Sequence, residues 1–259
     1  MKIIREGALH TIKELTVGVA LQGDFESSYT AGDNSLVVAT DTMKNTVQAL
    51  AKDHLGLETE RFLAFLAHHF VTKYPQVHTA GVTASERVWG RLAAHPHAFS
   101  ASERAEPFAA ATATAEGTVI TSGISNLLLM KSTDSSFAGY PHCEFTTLQE
   151  TQDRVLATSL TATWRWAAVP ADYLAANATI QQAMLIPFAN NHSPSAQTTL
   201  YEMASAALES CPELEEIHLA MPNKHFLLVP LDRFGMENMN EIFLPTDEPH
   251  GQIEAIVTK

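Results

Sequence analysis

The chain has 259 residues and a mass of 28.2 kDa, with 46% apolar and 17% charged residues. These proportions are typical of a folded globular protein of one or two domains, and they exclude collagen and a largely disordered chain. Lys and Arg number 16 against 29 Asp and Glu, a formal net charge of −13, so the average surface potential repels nucleic acid and acidic membranes. We therefore expect no nucleic acid or membrane partner, and an anionic small substrate needs a local cationic pocket.

The cysteine content and the terminal sequence favour a reducing compartment. Cys143 and Cys211 build neither a disulfide framework nor a C-x-x-C pair. The first residues lack the apolar core and small-residue cleavage site of a secretory signal, and no stretch approaches the roughly 20 apolar residues of a membrane span. We expect a cytoplasmic protein.

The first half of the chain begins with a strand pattern. Apolar residues alternate with small or polar ones from Leu15 to Gln22, which predicts a half-buried strand. After the apolar run Leu36–Ala39 the period becomes helical, and one helical face carries Met43, Val47, Leu50, Ala51 and Leu55. Three polar residues at this junction are candidate helix caps: Thr40, Asp41 and Thr42.

A second helix is predicted from Glu60 to Tyr74, with Thr59 as its cap and Pro75 after its end. Strand-like segments follow at His78–Trp89, Phe108–Ala115 and Thr118–Lys131. The first half is therefore predicted to have the element order β-β-α-α-β-β.

The second half is predicted to repeat that order. Leu160–Trp166 alternates as a strand, and Tyr173–Leu185 has a helical pattern. Ser193 and Pro194 then mark the start of a clear helix, as cap and first helical residue. The last predicted strands are Ile217–Leu219, Phe226–Pro230 and Ile253–Val257. We expect two structurally similar modules, residues 1–130 and 131–259, that share one sheet.

Several common catalytic motifs are missing from the sequence. It has no glycine-rich nucleotide-binding motif, no G-x-S-x-G and no H-E-x-x-H. His68 and His69 lie about 100° apart on a predicted helix and cannot both face one metal, whereas His95 and His97 lack a third ligand. We expect no metal and no cofactor.

Two predicted helix starts are candidate anion sites. Thr40 and Asp41 begin one helix, and Ser195, Ala196 and Gln197 lie near the start of another. Unpaired backbone N–H groups and the helix dipole favour an anion at such a place. The alternative at each is simple capping.

Arg154 and His225 are candidate groups for substrate and proton handling. The planar guanidinium of Arg154, just before a predicted strand, matches a carboxylate or the edge of an enolate-like heterocycle. The alternative is a salt bridge to Asp153 or Glu150. His225 has polar neighbours and precedes an apolar strand, as a proton-transfer group would.

The sequence resembles the urate oxidase (uricase) family, a family of cofactor-independent purine oxidases. Similar motifs occur in the family's order over nearly the whole chain. They are residues 33–46, 95–97, 131–137, 146–154, 162–164, 195–197, 222–225 and 245–251.

The resemblance implies an α+β tunnelling fold. This fold has two β-β-α-α-β-β modules with an antiparallel sheet and helices on one face. It also implies an oligomeric barrel, a homotetramer with sites at subunit interfaces, in which the exposed sheet edges are covered.

The resemblance also implies which residues bind substrate. Arg154 and Gln197 hold the edge of the purine ring, Phe137 stacks on its face, Ala196 donates a backbone N–H, and Leu148 contacts the substrate. A planar anion suits this set, because its edge offers acceptors and its face suits an aromatic ring.

The remaining implied roles concern oxygen and protons. Asn223 faces the oxygen or water site above the ring. Thr40 and His225 are the catalytic pair of a proton relay, and Thr40 and Asp41 come from the neighbouring subunit.

The implied reaction is urate + O2 + H2O → 5-hydroxyisourate + H2O2, without a cofactor. In the family a Lys in a short Tyr-Gly-Lys type segment near the N-terminus completes the relay, and alignment of the first strand does not place Lys2 there. Either a segment with this Lys precedes the given sequence, or the base is supplied differently, and in the second case two alternatives stay open. One is a cofactor-free oxidase or hydroxylase of another electron-rich heterocycle, and the other is a non-catalytic purine-binding homologue that lacks this Lys.

Overall fold

The structure, a computed structural model, describes residues 1–102 and 105–259. Within the second range, Asp247 is described by its backbone alone. The chain is an α+β protein whose long strands pair antiparallel, which confirms the predicted class. It divides into two compact units. The first contains residues 1–124 and 163–177, and the second contains residues 125–162 and 178–259. The predicted boundary between residues 130 and 131 stays a prediction.

Long strands form most of the first unit. They are β1 (Lys2–Glu6), β2 (Leu9–Gly23), β3 (Val77–Arg87), β4 (Trp89–Arg91), β5 (Phe99–Ala101), β6 (Glu106–Thr114) and the first part of β7 (Gly117–Lys131). Hydrogen-bonded neighbours follow the order β1, β2, β3, β6 and β7, while β4 and β5 form a separate ribbon. Gly7, with φ +62°, lies in the tight turn between β1 and β2, where a side chain would be strained.

Three helices belong to the first unit, namely α1 (Glu26–Thr30), α2 (Thr40–His54) and α3 (Thr59–Lys73). Helix α3 packs on β3 and β6 through a face of buried residues, Phe62, Leu63, Leu66, Ala67 and Phe70. Helix α2 buries none of its residues, and the one buried member of its predicted apolar face, Leu55, follows the end of the helix. Helix α3 therefore provides most of the helical contribution to this core.

Three expectations for the first half are wrong in detail. The apolar run Leu36–Ala39 does not supply the second strand of the predicted β-β-α-α-β-β order, because the strand that pairs with β2 there is β1, which precedes it. The caps of α2 and α3 are Ala39 and Glu58, which make no side-chain cap hydrogen bond. Thr59 instead donates its hydroxyl to Glu86 Oε2 at 3.2 Å. At the start of α3, a contact with a distant strand therefore replaces the expected local cap.

The second unit contains the end of β7, most of β8 (Leu156–Trp166), and the long strands β9 (Leu214–Leu228) and β10 (Phe243–Thr258). Its helices are most of α4 (Tyr173–Asn190) and all of α5 (Ala196–Ser210). Helix α5 packs on β9 and β10. Its buried face consists of Ala196, Thr199, Leu200, Met203, Ala204, Ala207 and Leu208.

Two predictions for the second half need correction. The segments predicted as separate strands, Ile217–Leu219 and most of Phe226–Pro230, belong to the single strand β9. The cap of α5 is Ser195, whose hydroxyl accepts from the backbone N–H of Thr198 at 3.1 Å. Ser193 is not the cap, because its backbone forms a bridge with Ser135.

None of the helices within the described residues is both long and apolar enough to cross a membrane.

Candidate active site

A cavity of about 730 Å³ lies within the second unit, a size that suits a small organic ligand. Several predicted site residues line it together: Phe137, Leu148, Arg154, Asn223 and His225. The sequence between β7 and β8 supplies one wall and the C-terminal half of β9 supplies another. The resemblance thus selected residues that the fold brings together although they are far apart in sequence.

Arg154 is the central cation of this cavity. Its backbone N–H donates to Ser135 O at 2.8 Å, and its guanidinium carbon lies 5.3 Å from the centre of the Phe137 ring. The Nε atom is buried and has no hydrogen-bond partner. Burial lowers the pKa of this guanidinium, which still remains protonated at neutral pH. A buried, charged N–H group therefore faces no acceptor within the described protein.

The carboxylates nearest to Arg154 in sequence are bound elsewhere. Asp153 Oδ1 accepts from the Thr133 hydroxyl and from the Asp134 N–H, both at 2.9 Å. Glu150 Oε1 accepts from the Gly139 N–H at 3.0 Å. The salt bridge to Asp153 or Glu150 that was the alternative for Arg154 does not form.

Phe137 is held as a fixed aromatic surface. Its backbone exchanges two hydrogen bonds with Thr151, at 2.9 and 3.0 Å. Its ring stacks on Tyr140 with centroids 4.8 Å apart and planes 15° apart, and the Tyr140 hydroxyl donates to Leu148 O at 2.7 Å. Tyr140 was not predicted, because an irregular loop gives no periodic signal for such a contact.

Asn223 and His225 occupy alternate positions of β9, so both side chains point to the same face. On the adjacent strand β10, Thr246 pairs with His225 and Gly251 pairs with Asn223, which leaves residues 247–250 as an irregularity in the ladder. Bulges of this kind are common beside active sites, where they redirect side chains.

Ala196 and Gln197 form the first turn of α5 in the same unit. Ala196 is buried and Gln197 is exposed, and neither is among the described residues that line the cavity. Their backbone N–H groups lie at the positive end of the helix dipole. The pairing of Gln197 with Arg154 stays a prediction.

Thr40 and Asp41 lie in the first unit, in the first turn of α2. Thr40 lines a largely apolar cavity of about 680 Å³ within that unit. The Asp41 carboxylate accepts from Lys44 Nζ at 2.5 Å and from Asn45 Nδ2 at 2.8 Å. Neither residue lines the Arg154 cavity, so their roles also stay predictions.

The histidines considered for metal binding are not grouped into a ligand set. The rings of His95 and His97 meet edge to face with centroids 4.4 Å apart. Over residues 1–102 and 105–259, no group of three or more His, Cys, Asp or Glu side chains is arranged to hold a metal ion.

The fold and the cavity define a class of α+β protein with a ligand-sized cavity, which is lined by a guanidinium, a phenyl ring, an amide and an imidazole. A family model described as "Uricase" matches residues 1–112 and 120–254 of this chain. The chain belongs to the uricase family, and it is an oxidoreductase.

Named relatives support this assignment. The uricase of Arthrobacter globiformis is 43% identical over 259 residues, covering 100% of this chain and 85% of the relative. The uricase of Aspergillus flavus is 36% identical, covering 96% of this chain and 88% of the relative. The crystal structure of the Arthrobacter globiformis uricase matches with a TM-score of 0.97, covering 100% of this chain and 90% of that structure. This match confirms the fold that the resemblance implied.

Proposed function

We propose that this chain is a urate oxidase, which converts urate, O2 and water to 5-hydroxyisourate and H2O2 without a cofactor. The observation that carries the proposal is the unpartnered Nε of Arg154 beside the Phe137 ring in a ligand-sized cavity. Family membership favours urate over the two alternatives, a different heterocycle and a non-catalytic role.

Arg154 binds the edge of the urate anion. A buried donor without a partner destabilises a protein by roughly 1–3 kcal/mol, so such groups in native structures call for a functional explanation. The urate ring edge offers adjacent acceptors to the guanidinium fork, and the ring face suits stacking on Phe137. One anion thereby satisfies the charge of Arg154 and covers the aromatic surface.

In this proposal the start of α5 binds the side of the urate ring that faces away from Arg154. The amide of Gln197 provides both a donor and an acceptor, and the backbone N–H of Ala196 adds a donor at the positive end of the helix. Leu148 gives apolar contact at the cavity wall. Together with Arg154, these groups distinguish a planar purine anion from other anions.

The reaction itself requires electron and proton transfer. The urate ring loses two electrons to O2, which also takes up two protons to leave as H2O2, while water adds its hydroxyl to the oxidised ring. Asn223 holds O2 and then water above the ring, and the pair of Thr40 and His225 moves the protons. A positioned acid–base pair of this kind contributes on the order of 10²–10⁴ in rate.

We also propose a homotetramer in which Thr40 and Asp41 complete the site of a neighbouring subunit. Support comes from exposed apolar side chains between β9 and β10, because exposed apolar patches are typical of interfaces. They include Phe234 at 65%, Met239 at 66% and Ile242 at 51% exposure. The cytoplasm is the proposed compartment, since Cys143 and Cys211 are both free.

The test follows three quantities in one assay of the full chain with urate. We expect loss of the near-ultraviolet absorbance of urate, uptake of O2 and release of H2O2 in equal amounts. Urate that binds without O2 uptake would support the non-catalytic alternative. O2 uptake with another purine but not with urate would support the different-heterocycle alternative.

A further inference from the structure

The segment in front of α5 is tied to the end of the β7 region through Asp134. One carboxylate oxygen, Oδ1, lies 2.9 Å from His192 Nδ1, and Oδ2 accepts from Lys131 Nζ at 3.2 Å. The backbones are also joined, because the Ser193 N–H donates to Asp134 O at 3.0 Å and the Ser136 N–H donates to Ser193 O at 2.7 Å. Two loops are therefore held at a fixed spacing.

His192 uses both of its ring nitrogens in this connection. Nδ1 contacts Asp134 Oδ1, and Nε2 lies 3.1 Å from the Ser136 hydroxyl. The imidazole and Lys131 together lower the pKa of Asp134, so this carboxylate is ionised at neutral pH. The His192 side chain is 52% exposed and so contributes little to the hydrophobic core. Its contacts are directional hydrogen bonds, which specify geometry more than they add stability.

On one side the connection leads to Arg154 and Phe137. Ser135 lies between the two residues that His192 contacts, and its carbonyl accepts the backbone N–H of Arg154 at 2.8 Å. Phe137 directly follows Ser136. A shift of this loop therefore moves both the guanidinium and the aromatic surface.

On the other side the connection leads into α5. The Thr199 hydroxyl donates to the Ser193 hydroxyl at 2.7 Å, and Ser195 caps the helix at Thr198 N. These bonds make the stretch from Ser193 to the first helical turn rigid. Gln197 lies within that turn.

We propose that His192 is a positioning residue that sets the spacing between Arg154 and the start of α5, and so the fit of the substrate edge. This inference rests on the proposed function and adds a residue to it. His192 touches neither the ring nor oxygen, so its loss weakens the grip on the substrate more than it slows proton transfer.

The test compares variants of the full chain by steady-state kinetics with urate and by binding of xanthine, a planar purine with a similar ring edge. We expect His192→Phe to raise KM and the Kd for xanthine about tenfold, the size of one hydrogen bond to a charged group. The kcat should change by less than threefold. His192→Asn places an amide near the Nδ1 position and should restore much of the lost affinity.

The matched control is His78→Phe. His78 is an exposed histidine in the first unit whose Nε2 lies 3.2 Å from Asp24 Oδ2, so the same substitution removes a similar ion pair. We expect no change in KM from it. Thermal unfolding of each variant should stay within a few degrees of the starting protein, since both side chains are more than half exposed.

The inference fails if His192→Phe leaves KM and the Kd for xanthine unchanged, or if kcat falls as much as affinity does. It also fails if His192→Asn behaves like His192→Phe while both fold. Failure of the proposed function is a separate result, because the unsubstituted chain would then show neither O2 uptake nor peroxide with urate.

Discussion

The two units bury charged side chains in opposite ways. In the first unit Glu60, only 3% exposed, accepts from the Ser122 hydroxyl at 2.6 Å and from Asn177 Nδ2 at 2.8 Å. Trp166 Nε1 in turn donates to the Ser122 oxygen at 2.8 Å. In the second unit the buried Nε of Arg154 has no partner.

This difference shows how a charged side chain that stabilises the fold can be distinguished from one that binds a ligand. A buried carboxylate with several donors belongs to a closed network that holds elements together, because each partner would be costly to leave unpaired. A buried guanidinium with a free N–H at a cavity wall is unsatisfied until an anion arrives. Burial of a charged group therefore stabilises the fold where donors surround the group, and prepares a binding site where they do not.

The largest effect is expected at His225, which tests whether the cavity performs chemistry as well as binding. His225→Ala should lower kcat by on the order of 10²–10⁴ because a proton carrier is lost. The Kd for xanthine should change by less than threefold. Stopped-flow loss of urate absorbance and xanthine titration measure the two quantities.

The control for His225 lies on the same strand. His218 is outside the cavity lining, and its Nε2 lies 3.3 Å from Glu254 Oε2. His218→Ala should leave kcat unchanged. A loss of xanthine affinity in His225→Ala as large as its loss of kcat would contradict the assignment of His225 to proton transfer.

The next effect is expected at Glu60, whose role should be purely structural. Glu60→Ala leaves the buried Ser122 hydroxyl and the partly buried Asn177 amide without this acceptor, and should lower the free energy of unfolding by about 3 kcal/mol. Glu60→Gln keeps one acceptor oxygen and should lose less. Urea unfolding measures the change, and a Glu60→Ala variant of unchanged stability would remove the contrast with Arg154.

Arg154 should show the reverse pattern. Arg154→Leu removes the buried unpaired charge, so the free energy of unfolding should stay the same or increase. Affinity for xanthine should fall about 10- to 100-fold, which corresponds to a hydrogen bond to a charged group of roughly 1.5–3 kcal/mol. Arg154→Lys keeps the charge without the planar fork and should recover only part of the affinity.

Calorimetric xanthine binding and urea unfolding together decide the outcome at Arg154. Lower stability with unchanged binding would mean that Arg154 is a structural residue like Glu60. The contrast between the units would then fail at its central residue.

The sequence predicted the long elements and the cavity residues well. The period of alternation predicted β2 and much of β8, and the apolar face predicted α3. The family motifs identified Arg154 and Asn223, which lie in one cavity despite a separation of about seventy residues. Polar side chains just before β8 and within β9 carry this information, because packing of the core does not require polar residues there.

Other features were missed because they depend on contacts between distant segments. The cap of α5 is Ser195 and not Ser193, since bridging to Ser135 takes Ser193 out of the helix. Tyr140 and His192 have no periodic or motif signal, and their roles arise from loops that meet only in the folded chain. The contacts of irregular segments therefore become visible only in the folded structure, whereas helices and strands can be predicted from the periodicity of their residues.

The smallest effect is expected at Tyr173, which among the described residues of the first unit is the group that resembles Arg154. Its hydroxyl is buried without a partner, while its ring packs edge to face on Trp166 at 5.2 Å. Because Tyr173 lines neither the Thr40 cavity nor the Arg154 cavity, this orphan group should be a defect of the core and not a binding site. Tyr173→Phe keeps the ring and should raise the free energy of unfolding by about 1 kcal/mol at pH 7.

The pH dependence of the stability difference between Tyr173→Phe and the starting protein tests whether the Tyr173 hydroxyl is buried without a partner. Burial, with Glu60 nearby, raises the pKa of Tyr173 to about 12. An unfolded tyrosine releases its proton near pH 10, whereas the folded one holds it, so the folded state loses stability as the pH rises through this window. The stability advantage of Tyr173→Phe should therefore be constant below about pH 9 and grow by roughly 2 kcal/mol toward pH 12. An advantage that stays constant to pH 12 would mean that the hydroxyl is solvated, and the resemblance to Arg154 would then be superficial.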